Sequence, residues 1–430
     1  MPEERYRPMS KTFPQIASLL LGMGIVQLGN GLLTTIISLR MKIENFPAEI
    51  IGLVLACYFA GQMIAARTLP RIVERVGPVR TFAAAAALLA AAALSQILLV
   101  TGLVWTALRT ATGYGMAGLN MVVESWLNAR ASNENRGQVL ALYMIMVYLA
   151  TGLGQFLLNL ASPGGFELFA LATVLITVGL IPVALTRAPA PVFGERSTLG
   201  FRALYRVSPL GVVGVLGTGL VNGAFYGLGP IFARDIGLDD MGVSSFMGVT
   251  IIAGLAMQWP VGRLSDIYDR RTVLMAVFFA VAGACILMSA ALRLHPQWTL
   301  LVGALYGGLS FTTYSLSVAH ACDFLTPKDL VKASGGFVFT YGIGAVIGPP
   351  IASIFMSTIG PDGLFIYSAL VNLVLAGFAI YRMFQRAPMP KEQQRDYVSL
   401  PETTPVVRAL DPHAVASGPV RREGHPLVAD

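Results

Sequence analysis

Glu74-Arg75-Val76-Gly77-Pro78-Val79-Arg80 and Gly262-Arg263-Leu264-Ser265-Asp266-Ile267-Tyr268-Asp269-Arg270-Arg271 read as one device used twice. Each is a short polar loop between two long apolar segments, with an acid set ahead of basic residues. Glu74 and Asp266 stand 192 residues apart. A loop repeated at that interval between membrane-length runs implies a duplicated six-helix membrane unit.

Working outward from the two loops, twelve apolar runs are long enough to cross a hydrocarbon core of about 30 Å. They cover 14–39, 48–69, 79–101, 103–128, 137–160, 164–186, 209–233, 241–262, 272–293, 297–321, 334–358 and 362–384. The runs are continuous, which fits helices and not the alternating strands of a barrel. A charged fraction of 12% and a mean hydropathy of +0.67 lie far from soluble globular proteins. The fold class expected is an all-α membrane protein: twelve transmembrane helices in two pseudo-symmetric six-helix halves. The halves are 1–186 and 209–386, joined by a basic, proline-bearing cytoplasmic linker over 187–208. Residues 387–430 are polar and rich in proline, and read as a disordered cytoplasmic tail. The first run is too long for a signal-peptide core and reads as an uncleaved first helix.

The net charge of +7 is a topology signal and not a nucleic-acid one. With the N-terminus in the cytoplasm and the tail left aside, inside segments hold eighteen Lys and Arg and outside loops hold four. That excess follows the positive-inside rule and places both termini on the cytoplasmic side of a multi-pass cytoplasmic (inner) membrane protein. Cys57, Cys285 and Cys322 all fall in apolar runs, without disulfide or metal spacing, so no cofactor or metal is expected.

Two charges stand apart. Of thirty Lys and Arg only Arg109 lies well inside a predicted span, and of twenty-three acids only Glu124 does. Charge at that depth costs several kcal/mol unless solvated or paired, which makes both functional candidates. Fifteen residues of one helix separate them, about 22 Å, so they do not pair directly. Arg109 suits an anion anchor or a switch in proton coupling, against simple bonding to neighbouring carbonyls. Glu124 suits a proton-carrying carboxylate, since burial raises a carboxyl pKa, against a cap or salt bridge to Arg130 or Arg136. His320 and Asp323 share a helical face at the end of span 10, as a proton site or a helix-end pair. No second histidine or cysteine completes a metal set around His320. Uncharged polar residues gather mid-span: Gln27 and Asn30 on span 1, Asn120 on span 4, Asn222 and Tyr226 on span 7, Thr313 and Tyr314 on span 10. Tyr143, Tyr148, Gln155 and Tyr341 are weaker members of that set. Each alone serves equally as an interhelical hydrogen bond.

These residues together resemble the major facilitator superfamily over about 12–386. Gly262, Leu264, Asp266, Arg270 and Arg271 match its loop signature, with Asp269 at the second glycine position. In the first half Glu74 takes the acid position, Gly77 is kept and Pro78 replaces a basic residue. The resemblance implies that Glu74, Arg75, Gly77, Arg80, Gly262, Asp266, Arg270 and Arg271 form a latch joining the halves in the outward-facing state. Arg109-Thr-Ala-Thr-Gly113-Tyr-Gly115 is similar to the span-4 signature linked to proton coupling in that family. Gly344-Ala-Val-Ile-Gly348-Pro349-Pro350 looks like an antiporter signature displaced to span 11. Glu124-Ser-Trp-Leu-Asn128 with Arg136-Gly137 resembles the YcaD-type branch. In the resembled fold spans 1, 4, 7 and 10 line a central cavity, which would make Gln27, Asn30, Asn120, Asn222, Tyr226, Thr313 and Tyr314 cavity-lining.

The function expected is secondary active transport of a small organic solute by alternating access, proton-coupled, with efflux favoured over uptake by the resemblance alone. Expected partners are a small-molecule substrate, protons and the lipid bilayer, with no nucleic acid, and a monomeric state. Two alternatives stay open: a sensor that kept a transporter fold, and an uncoupled facilitator. An intramembrane enzyme lacks a nucleophile–base or metal cluster in the spans.

Overall fold

The computed structural model describes residues 9–131, 135–185, 199–294, 296–387, 389–390, 394, 397–398 and 400. Every regular element among them is helical. The first half holds α1 (Met9–Ile43), α2 (Ala48–Val76), α3 (Pro78–Leu98), α4 (Gly102–Arg130), α5 (Arg136–Gln155) and α6 (Glu167–Ala184). A short helix, α7 (Phe201–Val207), lies in the linker, and residues 187–198 of that expected linker, with residue 186 before them, lie outside the described residues. The second half holds α8 (Pro209–Asp235), α9 (Asp240–Ile267), α10 (Arg270–Leu294), α11 (Pro296–Ser310), α12 (Thr313–Cys322), α13 (Pro327–Ile359) and α14 (Gly363–Gln385).

Ten of these helices are long and apolar enough to cross a membrane. The other two spans have visible reasons to differ. α4 is diluted by Arg109, Asn120 and Glu124. Span 10 is broken at Phe311–Thr312 into α11 and α12, of 15 and 10 residues, each too short to cross alone. The break frees backbone carbonyls inside the membrane region, where an unpaired one is costly. The Phe311 carbonyl accepts a hydrogen bond from Gln258 Nε2 at 3.1 Å, and Thr313 Oγ1 donates to the Ser310 carbonyl at 2.6 Å.

The two repeated loops fold by different chemistry. Between α2 and α3 the chain turns at Gly77 with φ +86, a left-handed value that glycine tolerates best. Pro78 then starts α3 at the position where its missing N–H costs nothing. Between α9 and α10 no residue has positive φ. Asp269 stands there, and its carboxylate accepts from the Arg271 backbone N–H at 3.2 Å and from Arg271 Nη2 at 2.9 Å. An aspartate that caps α10 thus replaces a glycine that would only have turned the chain.

The halves meet along α1 with α8, α2 with α13, and α5 with α9. They are fastened on the face opposite residues 9 and 386. There Lys42 Nζ pairs with Asp235 at 3.0 Å, and Ser38 Oγ donates to the Gly227 carbonyl at 2.7 Å. On the other face Glu74, Arg75 and Arg80 of the first-half loop are exposed.

The start of the expected disordered tail differs from that reading. The Tyr397 backbone N–H donates to Asp266 Oδ1 at 3.0 Å, and its hydroxyl donates to Gln258 Oε1. The Leu400 N–H donates to Ser315 Oγ at 3.0 Å, and the Leu400 side chain is buried. Tyr397, Val398 and Leu400 supply apolar surface that packs on the protein core, which a purely polar tail lacks. Residues 401–430 lie outside the described residues.

Candidate functional site

Two glycines bring α2 and α4 into backbone contact. A Cβ on Gly113 would fall 1.8 Å from the Tyr58 carbonyl oxygen, and one on Gly61 would fall 2.0 Å from that of Thr110. Only the bare backbone fits at these distances. The contact sets the Arg109 guanidinium over the Tyr58 ring, 4.5 Å from its centroid. The Tyr58 hydroxyl is held in turn by the side chains of Asn30 and Gln62.

Arg109 opens onto a cavity of about 1100 Å³, its mouth included, that lies between the halves. Gln27, Asn30, Asn120 and Tyr226 line it, joined by the weaker candidates Tyr143, Tyr148, Gln155 and Tyr341. Gln155 Nε2 donates to the Gly31 carbonyl at 3.1 Å and its Oε1 accepts from Thr35, so its amide is spent on fixing α5 to α1. Tyr226 stacks on Phe311, with ring centroids 5.3 Å apart, beside the break in span 10.

Three expected lining residues are elsewhere. Asn222 Oδ1 accepts from Ser310 Oγ at 3.1 Å. Thr313 accepts from Thr218 Oγ1 at 2.9 Å. Tyr314 is buried edge-on against Tyr341. None of the three borders the cavity. α8 is buried on nearly every side, so its polar groups, and those of α11 and α12 against it, serve helix–helix packing. Sequence reading missed Tyr58 and Gln62. Their signal was a polar pair at i, i+4 within the apolar run of α2.

Glu124 is buried near the other end of α4, and its carboxylate hydrogen-bonds the Tyr143 hydroxyl. Tyr143 itself lines the cavity. The acid therefore reaches the cavity through one phenol. The Arg136 side chain, a sequence-stated alternative partner, is outside the described residues.

His320 and Asp323 do not act as an isolated pair. Asp323 receives Arg270 Nη1 at 2.8 and 2.9 Å, with both side chains about 1% exposed. Arg270 Nη2 reaches Asp266 at 3.1 Å. His320 packs edge-on against Phe324, with centroids 5.2 Å apart. The second-half loop thus carries an ion network, buried at Arg270 and Asp323 and exposed at Asp266, whose outer acid also takes the Tyr397 N–H. Gly262 lies against the Tyr397 ring, and a Cβ there would fall 2.3 Å from it. No group of three or more His, Cys, Asp or Glu able to hold a metal occurs among the described residues.

A family model for the Major Facilitator Superfamily matches residues 19–319 and 213–417. The chain belongs to the major facilitator superfamily. It is 31% identical over 358 residues to an uncharacterised MFS-type transporter, YcaD of Escherichia fergusonii, covering 83% of this chain and 92% of that one. The fold matches solved transporters. It aligns with the nucleoside transporter NupG at a TM-score of 0.70 and 15% identity, over 86% of this chain and 99% of that one. It also aligns with a bacterial homologue of the human lysosomal transporter Spinster, solved inward-facing and unoccupied, at 0.66 and 13%, over 88% and 99%. As a superfamily member the chain is a multi-pass membrane transporter.

Proposed function

We propose that this superfamily member is a secondary active transporter that exports a small organic solute across the cytoplasmic membrane, driven by protons. The observation that carries the reading is the pairing of one central cavity with two buried charges on a single helix. Arg109 borders the cavity directly and Glu124 meets it through Tyr143. A solute bound at Arg109 and a proton held at Glu124 would share α4, a rigid element able to couple them. The halves are fastened opposite the termini, while Glu74, Arg75 and Arg80 are exposed on the terminal face. With both termini in the cytoplasm, the fastening on the opposite face supports a cytoplasm-facing arrangement. Alternating access then rocks the halves about the cavity. The export direction rests on resemblance alone.

The test uses purified protein in liposomes loaded with a pH-sensitive dye. Under an imposed proton gradient, an added substrate should move protons in wild type and fail to do so in Glu124→Gln. Counterflow of a labelled compound with no proton signal in wild type would leave an uncoupled facilitator.

A further inference from the structure

The Arg109 side chain is about 2% exposed, and its Nε and Nη1 have no hydrogen-bond partner. The polar groups that act on it electrostatically are the Tyr58 phenol and the Cys57 thiol, both neutral at physiological pH. The Tyr58 hydroxyl is already engaged by Asn30 and Gln62, so Tyr58 offers Arg109 its ring face and not an oxygen. The cavity lining contains no aspartate or glutamate. Glu124, the other deep charge, is fifteen residues away along α4 and hydrogen-bonded to Tyr143. Among the described residues the site is therefore a buried cation left without a counter-charge.

A guanidinium is planar. With one face covered by the Tyr58 ring, its remaining bonding capacity lies in its own plane, along the N–H edge. Two parallel N–H groups on that edge match the two oxygens of a carboxylate, which a lysine ammonium does not. The rest of the lining divides the same way. Met116, Met144 and Val147 offer apolar surface, and Gln27 and Asn120 offer amides for a second polar group.

We infer that the transported solute is a small organic carboxylate whose anionic group docks edge-on to Arg109 and supplies the missing counter-charge. This deepens the transporter reading and rests on it for the word transported. The site itself is testable by binding alone.

The experiment measures thermal unfolding of the detergent-purified full chain against matched pairs, aliphatic and aromatic carboxylates each with the primary amide of the same skeleton. Wild type should be stabilised by at least one carboxylate and not by its amide. In Arg109→Gln the apparent affinity for that carboxylate should fall roughly 100-fold, the loss typical of truncating one partner of a buried charge pair. Arg109→Lys, which keeps the charge without the fork, should fall between the two. Gel filtration and circular dichroism establish that the variants are folded. The inference is overturned if amides stabilise as well as acids. It is equally overturned if wild type and Arg109→Gln respond alike across the whole panel, including no response from either. Arg109-dependent carboxylate binding with no flux in liposomes would remove the carrier and keep the anion site. Flux of neutral or cationic compounds without carboxylate binding would do the reverse.

Discussion

Replacing Asp323 by asparagine should cost the second half about 3 kcal/mol of stability, because it leaves the Arg270 charge buried with too little around it. Arg270 and Asp323 meet at 2.8 and 2.9 Å with both side chains nearly fully buried. Two unit charges about 4 Å apart attract by roughly 4 kcal/mol at an effective dielectric of 20. Asparagine keeps the shape and a carbonyl acceptor, so the packing is nearly unchanged. Asp266 remains at 3.1 Å, but its side chain is 39% exposed, and solvent screening limits such a pair to about 1 kcal/mol or less. Asp266 is kept in both proteins and cancels, so the loss is the attraction less the burial penalty that a neutral asparagine no longer carries, near the low end of the roughly 3–5 kcal/mol typical of breaking a buried pair. The assay is equilibrium unfolding in mixed micelles, followed by helical circular dichroism, for wild type, Asp323→Asn and the double variant Arg270→Gln/Asp323→Asn. The double variant should regain stability over Asp323→Asn, since it removes the stranded cation. A loss under about 1 kcal/mol, or a double variant no better than the single, would mean that Asp323 does not neutralise a buried Arg270.

Gly113→Val should prevent α2 and α4 from closing, and Gly113→Ala should lower the unfolding temperature measurably, because even one methyl meets the Tyr58 carbonyl; wild-type stability in the alanine variant would contradict the contact. Gln258→Leu should strand the Phe311 carbonyl and release Tyr397 at once, costing about 1–3 kcal/mol for a buried unpaired acceptor, read by the same unfolding assay. Gly262→Val should expel Tyr397, so that a thiol reagent labels Leu400→Cys faster in that background than in one retaining Gly262, both lacking the three native cysteines; equal labelling would mean the segment is not docked. Burial pushes the Tyr397 phenol above its ordinary value, so its docking is intact below about pH 10 and is lost as pH rises through the higher, docked value. Difference spectrophotometry of wild type against Tyr397→Phe should show a phenol ionising above the ordinary range, and one titrating at the ordinary value would count against the docked segment.

The span count and the two deep charges were legible in the sequence, because a bilayer enforces long apolar runs and makes any charge within them conspicuous. Arg109 and Glu124 stood out for that reason alone. What was not legible depended on which face of a helix meets which neighbour. Asn222 and Tyr226 are four residues apart on α8, yet Tyr226 reaches the cavity and Asn222 turns to Ser310. Asp323 sits three residues from His320, and local spacing suggested a pair. The partner that claims it is Arg270, fifty-three residues back, a contact only the folded chain creates. The break at Phe311–Thr312 has no proline or charge to announce it, since its carbonyl is satisfied by Gln258 on another helix. The docked start of the tail escaped notice because three apolar residues in a polar stretch carry no period.

The lone arginine has an electrical consequence. Empty, the central site carries a unit of positive charge; with a monoanion aboard it carries none. On the inferred carboxylate site, and with Glu124 in one protonation state on both limbs, a membrane voltage would do work on the empty limb of the cycle and not the loaded one, at about 2.3 kcal/mol per charge for each 100 mV. With the cell interior negative, that work draws the unloaded site toward the cytoplasm. On the proposed export cycle, voltage alone would then favour the empty carrier with its site turned toward the cytoplasm.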